Sequence, residues 1–193
     1  DLSFFKPNKN QKESNIIFFA SRLLKSKGIF EFIECAQKLK NKKYQFLVAG
    51  KIDFENPDCI SKEELFRFHN KGIIKYVGNV DNVKEIISDS KIVVLPSYYG
   101  EGLPKILIEA AACGKPIITT DHPGCRDAII PDKTGYLIPV RNSIKLAESI
   151  KKIFDSPALC YSMGNEARKL ALRKFDINKV VKKHISIYDS LCK

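Results

Sequence analysis

The chain has 193 residues, 44% of them hydrophobic and 28% charged, with a formal net charge of +11. That size and balance describe one globular domain with a full core. Apolar runs are of strand length, far short of the roughly 20 residues that cross a bilayer, and no signal-peptide pattern opens the sequence, so a soluble cytoplasmic protein is expected. Only six of the 33 basic residues are Arg. The lysines are spread over helix faces with Glu between them, as in KSKGIFEFIECAQKLKNKK, which argues against nucleic-acid binding. A basic surface of this kind instead favours approach to anionic lipid headgroups or to a diphosphate-linked lipid acceptor, at the inner face of a membrane. The six cysteines show neither a C-x-x-C pair nor a His at metal spacing. They are expected to be reduced core thiols, with Cys35 and Cys113 on apolar helix faces.

Strand and helix signals alternate along the chain. Asn15 to Ala20 (NIIFFA) reads as a buried strand, Ser21 to Ser26 as a loop, and residues 27–40 as an amphipathic helix with Ile29, Phe30, Ile33, Ala36 and Leu39 on one side. A strand at 44–49, a helix at 61–71, a strand at 73–77, a helix at 81–89 and a strand at 92–95 follow. Then come a helix at 104–113, a strand at 116–119, a short helix near Gly124 to Ile129 and a strand at Tyr136 to Ile138. Helices at 143–154, 157–174 and 176–192 close the chain. Alternation at this pace predicts an α/β fold, a Rossmann-like parallel sheet with helices on both faces. The irregular stretch Lys51 to Ile60 holds Asp53 and Glu55 at a D-x-E spacing, which beside Asn56 and Pro57 reads as loop chemistry and not as a metal site.

Chemistry concentrates in Tyr98 to Pro116, YYGEGLPKILIEAAACGKP. Pro104 is expected at the first helical position, and Gly114 and Pro116 supply the stop. Glu109 is the one acid among Ile106, Leu107, Ile108, Ala110, Ala111, Ala112 and Cys113. An ionised carboxylate in such surroundings costs several kcal/mol, roughly, unless something hydrogen-bonds it. Two readings are open: a ligand hydroxyl as partner, or an ordinary helix pair with Lys105 one turn earlier. Spacing favours the ligand. Glu101 and Glu109 are expected at opposite ends of a stretch of about 8 to 12 Å, with the helix N-terminus and the amides of Gly102 and Leu103 between them as an anion site. Two acids flanking an anion site suit a sugar nucleotide. Arg22 and Lys27, in and beside the loop at the carboxyl end of the first strand, face the crevice where open α/β sheets bind ligands. There, fixed cations would stabilise the negative charge of a departing nucleoside diphosphate. Gly50 and Gly78, each at a strand end, are open to two readings, turn geometry or close approach of a base or ribose. His69 on a polar helix is expected to be exposed and His184 to lie on the final helix, so neither is placed for triad work, and His122, at a strand's carboxyl end nearer the crevice, reads as loop structure. No G-x-S-x-G, P-loop or G-x-G-x-x-G is present, against hydrolase, NTPase and dehydrogenase readings.

The E-x7-E spacing of Glu101 and Glu109 within S-Y-Y-G-E-G-L-P-x5-A resembles the donor-binding signature of family 4 (group 1) retaining glycosyltransferases with the GT-B fold. ASRLLKSKG, Ala20 to Gly28, is similar to that family's diphosphate-gripping segment. GNV at Gly78 to Val80, TTDHPGCRDAI at Thr119 to Ile129 and TGYLIPV at Thr134 to Val140 follow in the family's order. The resemblance covers essentially the whole chain and implies the carboxyl-terminal, donor-binding half of a GT-B enzyme. Residues 1–14 would then be the remnant of an interdomain linker, 15–175 the nucleotide-sugar domain, and 176–193 a helix returning to an amino-terminal acceptor domain that this chain lacks. It implies Glu101, Arg22 and Lys27 as the catalytic set and Glu109, Gly102, Leu103, Pro104 and Gly78 as donor-binding residues, with no metal or other cofactor. The activity implied is retaining transfer of a hexose or N-acetylhexosamine, with a UDP-sugar as donor, in cell-surface polysaccharide assembly. The fragment alone is expected to bind donor without turnover. A UDP-sugar 2-epimerase of the same fold and a non-catalytic nucleotide-sugar binding module are the alternatives.

Overall fold

The computed structural model describes residues 1–8, 13–40 and 43–191. Its strands are β1 (Ile16–Ala20), β2 (Gln45–Ala49), β3 (Lys75–Tyr76), β4 (Ile92–Leu95), β5 (Ile117–Thr120) and β6 (Gly135–Ile138). They form one six-stranded sheet in the order β3-β2-β1-β4-β5-β6, with every neighbouring pair parallel. Helices α1 (Ile29–Lys38), α2 (Lys62–Asn70), α3 (Val83–Asp89) and α4 (Lys105–Ala112) lie between the strands. α5 (Ser143–Asp155), α6 (Pro157–Lys174) and α7 (Ile177–Leu191) follow them. The predicted α/β architecture is the observed one.

Parallel strands must be covered on both faces, and their composition shows it. All four residues of β4 and of β5 are buried, as are Ile17, Phe18 and Phe19 of β1. α1 sets Phe32 between Phe19 and Phe46, with ring centroids 5.2 and 5.3 Å away. α1 packs on α5, and α4 packs on α6. Side-chain caps start four helices: Ser61 accepts from the Glu64 amide, Asn142 from Lys145, Ser156 from Leu159 and Asp176 from Asn178.

Most boundaries shift by one or two residues, and three of the differences have a clear physical reason. The helix expected at 27–40 begins as a 3-10 turn, Lys25–Lys27, and α1 starts only at Ile29, because Gly28 between them has φ +82°. A Cβ on Gly28 would lie 2.3 Å from the Pro96 carbonyl oxygen, so this break is where the loops after β1 and β4 touch. The strand expected at 73–77 shortens to two residues at the sheet edge. Pro104 is the N-cap of α4, with ψ 126°, and the helix proper begins at Lys105.

The first eight residues are docked on the domain. Leu2 and Phe5 pack on the core, and the Arg168 guanidinium donates to the carbonyls of Leu2, Phe5 and Ala112 at 3.2, 2.8 and 2.7 Å. Residues 9–12, within the expected linker, and 192–193, at the end of the expected final helix, lie outside the described residues. α7 buries none of its residues and exposes Ile177, Val180, Val181, Ile185, Ile187, Tyr188 and Leu191. Among the described residues, Cys35, Cys59, Cys113, Cys125 and Cys160 are free thiols, and no helix is long and apolar enough to cross a membrane.

Two packing details generate expectations. Gly124 has φ +82°, and a Cβ there would meet the carbonyl oxygens of Gly102 and Glu101 at 2.4 and 2.5 Å. Gly124→Ala should cost about 2 to 4 kcal/mol from left-handed strain plus displacement of that loop, measured by urea unfolding. The buried Lys115 ammonium donates to the carbonyls of Ser88 and Ser90 at 2.6 and 2.8 Å, closing the carboxyl end of α3. Burial pushes its pKa from 10.5 down to about 8. Between those values the unfolded chain holds the proton that the folded chain has released, so stability rises with pH there. Relative to Lys115→Met, the wild-type chain should gain on the order of 3 kcal/mol between pH 8 and 10.5 and nothing below pH 8, measured by urea unfolding across that range.

Candidate functional site

The strand order reverses between β1 and β4. From β1 the chain moves outward to β2 and β3, then returns to β4 and continues to β5 and β6. Loops leaving β1 and β4 therefore diverge, and ligands bind in the crevice that such a reversal leaves at the carboxyl ends of the strands. Here that crevice has a volume of about 250 Å³ and is lined among others by Arg22, Gly50, Asn79, Val80, Ile106 and Glu109. A larger cavity of about 590 Å³ lies at the opposite end of the sheet, beside Ser14, Lys91 and Pro116, which precede β1, β4 and β5.

Each charged side chain singled out in the sequence meets an opposite charge. Arg22 Nη1 lies 3.5 Å from Asp53 Oδ2, with Arg22 half exposed. Asp53 belongs to the loop after β2, which is laced to the loop after β1: the Leu23 amide donates to Lys51 O at 3.1 Å, the Lys25 amide to Asp58 O at 2.8 Å and the Ser26 amide to Asp58 Oδ2 at 2.9 Å. Among the described residues no cluster of three or more His, Cys, Asp or Glu is placed to hold a metal. Lys27 is buried and its Nζ donates to Glu101 Oε1. That ammonium also lies 4.4 Å from the ring centroid of Tyr99, while the Arg22 guanidinium is 5.8 Å from the same ring. Tyr99 is the residue that sequence reading passed over. An aromatic face between two cations holds both, and the sole sequence signal was its place two residues before Glu101.

Of the two readings of Glu109, the structure shows the helix pair with Lys105. It is 7% exposed, and its Oε1 lies 3.5 Å from the Nζ of the solvent-exposed Lys105. Burial raises its pKa above the usual carboxylate range, and Lys105 offsets this only in part. An exposed i,i+4 pair contributes a few tenths of a kcal/mol, roughly, against several for burying a carboxylate, so Glu109 keeps unspent capacity toward a hydrogen-bond donor in the crevice.

At the start of α4 the first amides to reach a carbonyl are those of Leu107 and Ile108, both on Pro104 O at 3.1 and 3.4 Å. The amides of Lys105 and Ile106 precede them at the positive end of the helix. Gly102 and Leu103 lie just upstream, in the loop backed by Gly124. β5 braces the same region: Thr119 Oγ1 donates to Leu95 O at 2.7 Å and Thr120 Oγ1 to Ser97 O. Gly78 has φ +79° with open space where a Cβ would be, and its carbonyl accepts the Gly50 amide at 2.8 Å. The positive φ is the turn geometry that one of the two readings required. Of the residues singled out, Arg22 and Glu109 share the crevice. Lys27 and Glu101 meet beside it through Tyr99, and Gly102, Leu103 and Pro104 join the two places. His69 is half-buried and not exposed, accepting the Tyr76 amide at Nδ1, because the edge strand passes over it.

Comparison with known proteins accords with this geometry. The sequence profile of the family described as glycosyl transferases group 1 matches residues 2–170. The chain is 34% identical over 189 residues, 98% of its length and 48% of the relative's, to the N,N'-diacetylbacillosaminyl-diphospho-undecaprenol alpha-1,3-N-acetylgalactosaminyltransferase of Campylobacter jejuni. It is 26% identical to the capsular polysaccharide biosynthesis glycosyltransferase CapM of Staphylococcus aureus, covering 97% of this chain and 49% of CapM. The chain therefore spans about half the length of these curated relatives. Among solved structures, Anabaena Alr3699/HepE in complex with UDP superimposes with a TM-score of 0.89 at 18% identity, over 98% of this chain and 55% of that one. The carboxyl-terminal domain of a group 1 glycosyl transferase (LpcC) from Francisella tularensis gives 0.77 at 25% identity, over 92% of this chain and 98% of that domain. The chain belongs to the group 1 glycosyl transferases and has the fold of the carboxyl-terminal domain of their GT-B architecture.

Proposed function

We propose that this chain is the donor-binding domain of a retaining glycosyltransferase that uses a UDP-sugar. The observation that carries this reading is the meeting of Arg22 and Glu109 in one crevice at the β1/β4 reversal, with the α4 N-terminus beside it. In this reading Glu109 holds the ribose hydroxyls and Glu101 the hydroxyls of the sugar. Arg22, Lys27 and the amides of Gly102 and Leu103 hold the diphosphate. Pro104 sets the angle at which the helix end meets it, and Gly78 leaves room for the nucleoside. As the bond between sugar and diphosphate breaks, negative charge grows on the phosphates. Arg22 as a forked donor and Lys27 as a point charge stabilise that state more than the ground state.

Uridine as the base is supported by the UDP complex of HepE and by that protein's UDP-glucose complex. Assembly of a cell-surface glycan on a lipid-linked acceptor is supported by the names of the Campylobacter and Staphylococcus relatives. The acceptor and any further catalytic groups would come from the half of those relatives that this chain does not cover. The exposed apolar stripe of α7 is available to such a partner domain, and the basic surface to an anionic membrane.

Calorimetric titration with UDP tests the site. Glu109→Gln and Arg22→Ala should each weaken binding by about 1 to 3 kcal/mol, the worth of one charged hydrogen bond, and unchanged affinity in both variants would refute the assignment. A second expectation concerns pH. UDP-sugars lack the terminal phosphate ionisation near roughly pH 6, so their affinity reports the protein's own groups. Because burial raises the Glu109 pKa, affinity for a UDP-sugar should fall on acidification at a higher pH than an ordinary carboxylate would give, and Glu109→Gln should abolish that step.

A further inference from the structure

We infer that the Lys27–Glu101 ion pair is a lock across the donor site, which a bare nucleoside diphosphate must break against opposition and which the sugar of an intact donor helps to open. The inference rests on the reading of Lys27 as a diphosphate ligand and Glu101 as a sugar ligand. The loops that carry the pair are held together independently of it. Gly28 abuts the Pro96 carbonyl, the Tyr98 amide donates to Ser26 O at 2.8 Å, and Ser97 Oγ donates to the same carbonyl at 3.3 Å. Two side chains so placed lose little freedom on pairing. Lys27 is also sheltered, its side chain 8% exposed and that of Glu101 25%, whereas the Lys43–Asp155 and Arg126–Asp121 pairs have both partners about half exposed. Screening is weakest where water is excluded, so this pair is the one of the three with strength to spare.

The Lys27 ammonium has three donors, of which Glu101 takes one while the Tyr99 ring lies against the same group. A diphosphate reaching Lys27 must displace the carboxylate or lie beside it, and two anions sharing one cation repel. In an intact donor the sugar hydroxyls offer Glu101 hydrogen bonds in exchange for the ammonium. Free UDP offers none. Glu101 therefore tunes the site toward loaded donor and against spent product: once the sugar has left, the carboxylate returns to Lys27 and drives UDP out.

Titrations of this chain with UDP and with UDP-glucose, UDP-N-acetylglucosamine and UDP-N-acetylgalactosamine test the lock. Glu101→Gln keeps the shape and removes the charge. It should bind UDP about tenfold more tightly, equivalent to one interaction of about 1.4 kcal/mol, and lose the preference for UDP-sugar over UDP. Glu101→Asp, which keeps the charge on a shorter stem, should leave UDP affinity between those of wild type and Glu101→Gln. If Glu101→Gln binds UDP no better than wild type, the lock is overturned while the donor site stands. If the wild-type chain binds no nucleotide at all, the donor-site reading falls and the lock with it.

Discussion

Everything at the candidate site depends on how closely the loops leaving β1 and β4 approach each other. At the reversal of strand order, the backbone after β1 turns through the left-handed Gly28 and passes against the Pro96 carbonyl with no room for a side chain. That contact brings Lys27 to Glu101 and Tyr99, and it aims Arg22 into the crevice that Glu109 shares. A second glycine, Gly124, supports the far side of the same loop. The site is therefore built less by its charged residues than by positions where no side chain fits.

The charges singled out at the site are arranged in opposed pairs. Arg22 faces Asp53, Lys27 faces Glu101, and Glu109 faces Lys105. These three pairs differ in worth. Arg22 and Lys105 are substantially exposed, so their partners hold them weakly and they remain free to turn to an incoming anion. Lys27 is sheltered and its pair is correspondingly firm. Burial makes the ionised form of Glu109 costly, and a ligand hydroxyl would relieve part of that cost. Such a site gains most from a ligand that satisfies several groups at once.

The remainder of the domain serves that arrangement. Arg168 ties the first residues of the chain to the carboxyl end of α4, Lys115 closes α3, and the threonines of β5 brace the exit from β4. Each is a polar group in or near the core whose donors are taken by backbone carbonyls. α7 differs: none of its residues is buried, and Ile177, Val181, Ile185 and Tyr188 among others are exposed.

The order of elements, the parallel sheet and the place of Arg22 at the carboxyl end of the first strand were legible in the sequence, because they rest on local signals. Four-residue apolar runs such as Ile92 to Leu95 announce buried strands, and a carboxylate inside an apolar helix announces a demand for a partner. Those signals depend on a few neighbouring residues and on periods that any chain must obey. Sequence alone did not show that Gly28 interrupts the first helix, that Pro104 caps α4 instead of opening it, or that Tyr99 lies between two cations. Nor did it show that Lys27 and Glu101 hold each other. These facts depend on distances between segments far apart in the chain, set by the strand order and the close approach of two loops. Only packing in three dimensions fixes such distances, because a tenth of a nanometre there decides between contact and clash while leaving no local trace.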